Sequence, residues 1–214
     1  MTHALAALML FAAAAPAAAA PAVTDAPVQE LKTRVDQAVQ ILNDPSLKGP
    51  SHVAERRVQV RKIADEIFAF PEMARRALGV HWKDLPSAAH ERFVRLFSDV
   101  LDRAYFEKID SYQGKNVTYL DTRIEGDLAT VPTRVVTNKA ADMPVEYRMM
   151  KEGGRWMVYD VIIEGVSLVQ NYRAQFDRVI RSASVAELMN RMESQVAGQA
   201  SPRSEVKPRG TGRN

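Results

Sequence analysis

The spacing of apolar residues changes twice along this 214-residue chain, and that change most constrains its fold. Before Gly114, apolar residues recur every three or four positions, as they do on one face of a helix. From Lys115 to about residue 163 they alternate with polar residues, as they do along a strand, and helical spacing then returns. Helices on both sides of a run of sequential strands predict an α+β fold, in which an antiparallel sheet curls over helices.

Breakers and capping residues divide the helical parts into six predicted helices. The expected helices lie at 26–43, after an N-cap at Ser51, between Pro71 and Gly79, from Ser87 to Gly114, at 167–181 and at 184–196. Ser167 and Ser184 are the expected N-caps of the last two. The longest helix follows Ser87, and its apolar stripe includes Phe93, Phe97, Leu101 and Tyr105.

Four sequential strands are predicted in the middle of the chain, with turns at 125–127, 138–142 and 152–154 between them. Alternation predicts which side chains share a face: Val117 and Tyr119; Ala129, Val131, Thr133, Val135 and Thr137; Val145, Tyr147 and Met149; Trp156, Val158, Asp160 and Ile162. Small residues on the inner face, such as Ala129, are compatible with a cavity. The pattern alone does not distinguish a hollow core from a filled one.

Composition excludes several kinds of site. With no cysteine, the chain has no disulfide, thiolate metal site or cysteine nucleophile. It carries 29 Lys and Arg against 26 Asp and Glu, but four basic residues and one acidic residue fall in the tail at 198–214. The rest of the chain is therefore neutral, which argues against nucleic acid as a partner. The tail is predicted to be disordered, and either a solubilising role or contact with anionic head groups fits it.

The first 22 residues have the layout of a secretory signal peptide. They contain no Asp, Glu, Lys or Arg, and an apolar run at 4–15 precedes Pro16 and a stretch of alanines. This run is too short to cross a bilayer core of about 30 Å. We therefore expect a signal peptide at 1–22, one exported domain at 23–197 and the basic tail at 198–214.

The sequence carries no catalytic signature. His52, His81 and His90 are not spaced as a helical pair of metal ligands, and no nucleophile elbow, phosphate loop or dinucleotide motif occurs. Alternation places the carboxylate of Asp160 beside apolar residues, where it has two interpretations. It is a candidate general base, or it accepts hydrogen bonds from neighbouring backbone or tyrosine groups, which is the favoured interpretation.

Two segments resemble a known family. FAFPEMARRALGVHW at 68–82 and GRWMVYDVIIEGVSLVQNYRAQF at 154–176 are similar to the signatures of the MlaC family, periplasmic phospholipid carriers also called toluene-tolerance or auxiliary ABC-transport proteins. The helix containing Phe93, Leu101 and Tyr105 resembles the block between them. Ala69 departs from the family pattern, since an acidic residue often lies between the two phenylalanines.

The resemblance implies a fold related to nuclear-transport-factor-2-like domains, with an apolar cavity between sheet and helices that takes the acyl chains of a glycerophospholipid. It implies a periplasmic carrier that moves phospholipid between an outer-membrane lipoprotein–porin complex and an inner-membrane ABC transporter with an MCE-domain subunit, maintaining outer-membrane lipid asymmetry. It also implies a protein that is not an enzyme, holds no cofactor or metal, and binds phospholipid as cargo. Two acyl chains cost on the order of 20 kcal/mol to expose to water, at about 0.8 kcal/mol per methylene, so a carrier must enclose them.

The predicted site has two parts. The residues expected to line the tail pocket are Phe97, Leu101, Tyr105, Val131, Val135, Tyr147, Met149, Val158 and Ile162, with Val166 sealing the rim. Arg134 and Glu164 are the candidates for the mouth or the head-group site. Arg134 is expected to point away from Val131 and Val135 unless Pro132 introduces a bulge.

Two other classes of protein are also compatible with the sequence. One is an enzyme of the ketosteroid-isomerase or dehydratase kind on the same fold, with Asp160 as its base. The other is an interaction protein with a solid core, which would hold no lipid.

Overall fold

The computed structural model describes residues 26–110, 117–136 and 142–198. The predicted signal peptide, the predicted tail beyond Gly198, Thr137 and most of the 138–142 turn lie outside the described residues. Within the described ranges, no helix is both long enough and apolar enough to cross a membrane.

The described residues form six α-helices and six strands, which confirms the α+β class and the antiparallel sheet. The helices are α1 (Ala26–Asn43), α2 (Val53–Ile67), α3 (Phe70–Leu78), α4 (Ser87–Asp110), α5 (Leu168–Ser182) and α6 (Val185–Gly198). The strands are β1 (Val117–Tyr119), β2 (Arg123–Glu125), β3 (Leu128–Val135), β4 (Met143–Glu152), β5 (Arg155–Ile163) and β6 (Val166–Ser167). The short strands β2 and β6 were not predicted. All three residues of β2 are exposed and β6 has only two residues, so neither strand shows an alternation of buried and exposed positions.

Local chemistry explains most helix boundaries. Ser167 Oγ accepts a hydrogen bond from Gln170 N, and Ser184 Oγ accepts one from Glu187 N, so both predicted N-caps are confirmed. Gly79 ends α3 with a φ of +61°, a conformation that favours glycine. The predicted cap at Ser51 is wrong, because a 3₁₀ turn over Pro50–His52 occupies that position and α2 begins after it.

The sheet has the order β1-β3-β4-β5-β6, with β2 paired to the other end of β3, and every pairing is antiparallel. The free edge of β5 is covered by the segment between α2 and α3. There Ala69 N donates to Val158 O at 2.8 Å. This contact attaches the helical half of the protein to the edge of the sheet.

A β-bulge in β5 reverses the alternation of its side chains. Arg148 pairs with Asp160 whereas Met149 pairs with Val158, so Tyr159 is an extra residue. One extra residue turns the following side chains to the opposite face. Val161 therefore continues the face of Val158. The prediction that Asp160 and Ile162 share that face with Val158 is wrong.

The buried apolar side chains form two clusters. The helix cluster joins α3, α4, α5 and α6 and contains Met73, Ala74, Ala77, Leu78, Phe93, Leu96, Phe97, Val100, Leu101, Leu168, Val169, Phe176, Leu188, Met189 and Met192. The sheet cluster joins one face of β3, β4 and β5 to α1 and α2 and contains Leu31, Ile67, Ala129, Val131, Val135, Val145, Met149, Trp156, Val158 and Val161. Phe68 packs against both.

Polar contacts join α2 to α4. Arg56 is buried and its guanidinium binds both carboxylate oxygens of Asp110, at 2.6 and 2.8 Å. Arg57 binds Asp102 at 2.7 Å, about two turns before Asp110 on α4. These ion pairs therefore connect α2, which packs beside the sheet cluster, to α4.

Candidate functional site

The residues predicted to line a tail pocket divide between the two apolar clusters. Phe97 and Leu101 lie in the helix cluster, and Tyr105 packs half-buried against it. The residues on the sheet side are Val131, Val135, Met149 and Val158 in the sheet cluster, with Tyr147 partly buried against it. The predicted tail-pocket residues are thus divided between two buried regions. We call the part in the helix cluster the helix surface and the part in the sheet cluster the sheet surface.

The helix surface is built from aromatic rings. The ring of Phe97 meets those of Tyr172 and Phe176 edge to face, with centroids 5.3 and 5.7 Å apart. Burial raises the pKa of Tyr172 to about 12, and the nearby phenol of Tyr105 adds to the shift. Burial also raises the pKa of Tyr105. Both phenols are therefore neutral at ordinary pH, and this surface carries no charge.

Tyr172 and Phe176 were not assigned to the site from sequence. Their positions on the apolar stripe of the fifth predicted helix were visible in its three-to-four spacing. That spacing does not reveal that α5 packs against α4, because helix pairing depends on the tertiary fold.

The sheet surface is also uncharged. Thr133 is buried in β3, and its hydroxyl donates to Val145 O at 2.8 Å. The hydroxyl of Tyr119 is buried beside this surface and has no hydrogen-bond partner among the described residues. Burial raises its pKa well above the usual range, and the neighbouring Tyr147 and Asp36 raise it further. Tyr119 is therefore a neutral hydroxyl with an unused hydrogen-bonding capacity.

The predicted rim and mouth residues lie at one end of the sheet. Val166 pairs with Ile163 on the edge strand and is 60% exposed. Arg134 pairs with Pro144, whose carbonyl accepts a hydrogen bond from Glu164 N at 3.1 Å. Both Arg134 and Glu164 are exposed.

Arg134 and the pocket candidate Ile162 lie on the face opposite to the sheet cluster. For Arg134 this was expected from alternation, and the register of β3 with β4 runs through Pro132 without a bulge. For Ile162 it was not expected, because the extra residue Tyr159 reverses the face. Ile162 is consequently separated from Val158, with which the sequence grouped it.

Asp160 is buried, with 3% of its surface exposed, and both oxygens of its carboxylate accept hydrogen bonds. Oδ2 accepts a hydrogen bond from Ser167 Oγ at 2.6 Å, and Oδ1 accepts one from Val169 N at 3.0 Å. A carboxylate at the first turn of α5 also interacts favourably with the helix dipole. This geometry supports the interpretation of Asp160 as a structural acceptor.

No group of three His, Asp or Glu side chains within the described ranges is arranged to hold a metal ion. The histidines of the described ranges take part in other contacts. The ring of His90 stacks on Trp82 at 4.2 Å, and His52 contacts Glu55 at 3.3 Å.

The family model described as MlaC protein matches residues 32–194, so this chain belongs to the MlaC family. The resemblance seen in the sequence is thereby confirmed. A match of this length includes every one of the six helices and six strands at least in part.

Two curated relatives match parts of the chain. The chain is 20% identical over 123 residues to the intermembrane phospholipid transport system binding protein MlaC of Haemophilus influenzae, covering 55% of this chain and 58% of that protein. It is 30% identical over 87 residues to the toluene tolerance protein ttg2D of Pseudomonas putida, covering 40% of each. The chain thus spans about half the length of the curated relatives that it matches.

A solved structure shares the fold. It is a phospholipid-binding protein of Ralstonia solanacearum in complex with a phospholipid. The TM-score is 0.72 with 25% sequence identity, and the alignment covers 83% of this chain and all of that one.

Proposed function

We propose that this protein is a periplasmic phospholipid carrier, which encloses acyl chains between the helix cluster and the sheet cluster. The single observation that carries the proposal is the fold shared with a phospholipid-bound protein along that protein's whole length. The two uncharged surfaces found here supply the chemistry that acyl chains require.

A tail site between the two clusters would explain why the buried apolar residues form a helix cluster and a separate sheet cluster. Phe97 and Leu101 of α4 are buried in the helix cluster, and Val131 and Met149 are buried in the sheet cluster. Acyl chains between the two surfaces would be removed from water at about 0.8 kcal/mol per methylene. Each surface would also gain packing contacts with the chains.

The buried hydroxyl of Tyr119 supports a polar contact with the cargo. A buried polar atom without a partner is rare in native proteins. An ester oxygen of a glycerophospholipid would accept a hydrogen bond from the Tyr119 hydroxyl and so supply the missing partner. The proposal therefore places the glycerol end of the lipid near Tyr119, with Arg134 and Glu164 at the mouth.

The carrier is proposed to move lipid between the two membranes of the cell envelope. Its proposed partners are an outer-membrane lipoprotein–porin complex and an inner-membrane ABC transporter with an MCE-domain subunit, and its proposed role is to maintain outer-membrane lipid asymmetry. The signal peptide predicted at 1–22 supports the periplasmic location, and the name of the Haemophilus influenzae relative supports intermembrane transport.

A non-enzymatic role fits the state of Asp160. A general base must be able to reach a proton on the substrate, whereas this carboxylate already holds Ser167 and the N-terminus of α5. The ketosteroid-isomerase-like alternative therefore has no free base at that position. The proposed cargo is phospholipid, bound without chemical change.

The lipid content of the purified protein tests the proposal. Native mass spectrometry of the mature chain, followed by lipid extraction, is expected to find phospholipid bound in stoichiometric amount. Protein that carries no lipid, and takes up none from phospholipid vesicles, would contradict the carrier and favour an interaction protein with a solid core.

A further inference from the structure

The outer side of α5 forms one wall of a groove that the proposed lipid site does not use. The groove holds about 360 Å³ and lies between the end of α3 and α5. Gln170, Arg173, Asp177 and Arg181 line the α5 wall at helical spacing. The opposite side of α5 carries Phe176 into the helix cluster. The helix thus separates the groove from the buried core.

The guanidinium of Arg173 lies against Gly79. A Cβ atom at position 79 would be 2.8 Å from Arg173 Nε and 3.2 Å from its Cζ, closer than ordinary contact. The absence of a side chain at Gly79 therefore makes room for the guanidinium. Gly79 also has a φ of +61°, so the position favours glycine on two grounds.

Arg173 has no hydrogen bond or ion pair with any described residue, although an acidic side chain shares its groove. Asp177 is engaged by His81 Nε2 at 3.2 Å and by Arg181 Nε at 2.9 Å. The hydrogen bond from His81, with the contribution of Arg181, lowers the pKa of Asp177. Two arginines and one aspartate leave the groove with a net positive charge, and the donors of Arg173 are unused.

An unpaired guanidinium is suited to an anionic ligand. Its planar set of donors matches the two oxygens of a carboxylate or phosphate. The concave shape favours a single protruding side chain over the flat array of phosphates on a membrane. Val80 stands beside the groove with 69% of its surface exposed and offers an apolar contact next to the charge. Arginine and adjacent apolar groups are typical of the centre of protein interfaces.

We propose that this groove, the Arg173 groove, receives an aspartate or glutamate side chain of a partner protein, whose carboxylate binds the Arg173 guanidinium beside Val80. α5 begins directly after the edge strand that carries Val166, and Arg173 lies about 8 Å along the helix axis from its first residue. A partner docked here is consequently held next to the rim of the proposed lipid site. The docking itself does not require that the cargo be lipid.

NMR with two short peptides tests the proposal. The probes are Ac-Gly-Glu-Leu-Gly-NH₂ and Ac-Gly-Gln-Leu-Gly-NH₂, titrated to millimolar concentration into the ¹⁵N-labelled mature chain. The glutamate peptide is expected to shift the Arg173 Nε–Hε signal and the amide signals of Gly79 and Val80. The glutamine peptide is expected to bind about tenfold more weakly, because it lacks the charge-assisted contact.

Matched arginine variants provide the control. Arg173→Gln is expected to abolish the shifts, and Arg178→Gln, an exposed arginine on the same helix outside the groove, is expected to retain them. Equal binding of both peptides, no shift with either, or equal loss in both variants would overturn the proposal. A stronger response to inorganic phosphate, or to phosphatidylcholine vesicles containing phosphatidylglycerol, would overturn it in favour of a phosphate site.

Lipid content separates this inference from the proposed function. Arg173→Gln is expected to retain the same amount of phospholipid as the parent protein, because Arg173 lies outside both apolar clusters. Loss of lipid from this variant would overturn the docking role by placing Arg173 in the cargo site. A parent protein that binds the glutamate peptide but no lipid would leave the groove intact and contradict only the carrier.

Discussion

The carboxylate of Asp160 accepts a 2.6 Å hydrogen bond from the hydroxyl of Ser167, and that hydroxyl in turn accepts a hydrogen bond from Gln170 N at the start of α5. One buried carboxylate and one hydroxyl thus connect the bulged strand β5 to the first turn of α5. The pair holds the sheet against the helix that forms one wall of the helix cluster. The turn that carries Glu164 and Val166 lies between the two residues in the chain, so the same pair fixes the rim.

Replacement of Asp160 tests its structural role. Asp160→Ala leaves Ser167 Oγ and Val169 N without their acceptor and is expected to lower the free energy of unfolding by about 1–3 kcal/mol. Urea denaturation followed by circular dichroism measures the change. Asp121→Ala, at an exposed position, is the control and is expected to change stability by less than about 0.5 kcal/mol. Equal stability of the two variants would show that Asp160 is not a structural acceptor.

The bulge at Tyr159 predicts an order of stability at the next positions. Val161→Ala removes packing from the sheet cluster and is expected to cost about 2 kcal/mol of unfolding free energy. Ile162→Ala removes more carbon atoms but is expected to cost less, because Ile162 lies on the other face outside both clusters. Denaturant midpoints compare the two variants. The reverse order would mean that alternation continues through β5 without the bulge.

The rim position predicts a loss of cargo without a loss of folding. Val166→Glu places a charge beside the proposed tail site and is expected to reduce bound phospholipid severalfold, since an unpaired charge is costly next to acyl chains. Val58→Glu is the matched control, because Val58 is 67% exposed on α2 and Val166 is 60% exposed. Native mass spectrometry reports occupancy, and circular dichroism reports folding. Equal lipid content in the two folded variants would remove Val166 from the site.

Leu101 gives a second test of the tail site from the helix side. It is 7% exposed within the helix cluster, so Leu101→Glu is expected to abolish lipid binding. Because a buried glutamate also destabilises the fold, Leu101→Met serves as its size-conserving partner and is expected to retain lipid. Retention of lipid by a folded Leu101→Glu protein would contradict this placement.

The hydroxyl of Tyr119 predicts opposite effects in the lipid-free and lipid-bound protein. Tyr119→Phe removes a buried polar atom that has no partner in the described structure. It is expected to raise the unfolding free energy of lipid-free protein by about 1 kcal/mol. If a lipid ester oxygen accepts a hydrogen bond from the Tyr119 hydroxyl, the same variant is expected to bind phospholipid more weakly. Thermal unfolding before and after delipidation measures both effects, and an unchanged lipid affinity would remove the proposed ester contact.

The high pKa of Tyr172 predicts loss of stability in strong alkali. The neutral phenol is favoured in the folded protein up to a pKa of about 12, whereas an unfolded tyrosine ionises near pH 10. Between about pH 10 and pH 12 the unfolded state therefore binds fewer protons than the folded state. The contribution of the Tyr172 phenol to stability is lost as pH rises from about 10 to about 12. Tyr172→Phe is expected to lessen this alkaline fall, as measured by urea unfolding at pH 9, 10 and 11. A fall that is unchanged in the variant would place the phenol of Tyr172 in water.

Much of the element order was predictable from local pattern. The three-to-four spacing of residues such as Phe93 and Phe97, and the capping chemistry of Ser167, depend only on neighbours in the chain. The strand regions followed from alternation for the same reason. The bulge at Tyr159 could not be predicted in this way. Nothing in the identities of Tyr159 and Asp160 requires an extra residue, and the register of β5 is decided by its pairing with β4.

The candidate site was predicted in composition but not in arrangement. The sequence identified Phe97, Leu101 and Val131 as inward-facing apolar residues, and the structure places all three in buried clusters. It did not identify Tyr172 as part of the helix surface, or Tyr119 as a buried hydroxyl without a partner. These properties depend on which helix and strand faces meet, and contacts between residues distant in the chain leave no local pattern.

Local patterns were enough to assign the α+β class, the six helices, four of the six strands and the resemblance to the MlaC family, because periodicity, turn residues and motifs are local properties. The tertiary fold divided the buried apolar residues into a helix cluster and a sheet cluster connected through Phe68. It alone turned Ile162 away from Val158 and placed Arg173 over Gly79. Strand register and helix packing produce these contacts between distant residues, and the proposed lipid site and docking groove both depend on them.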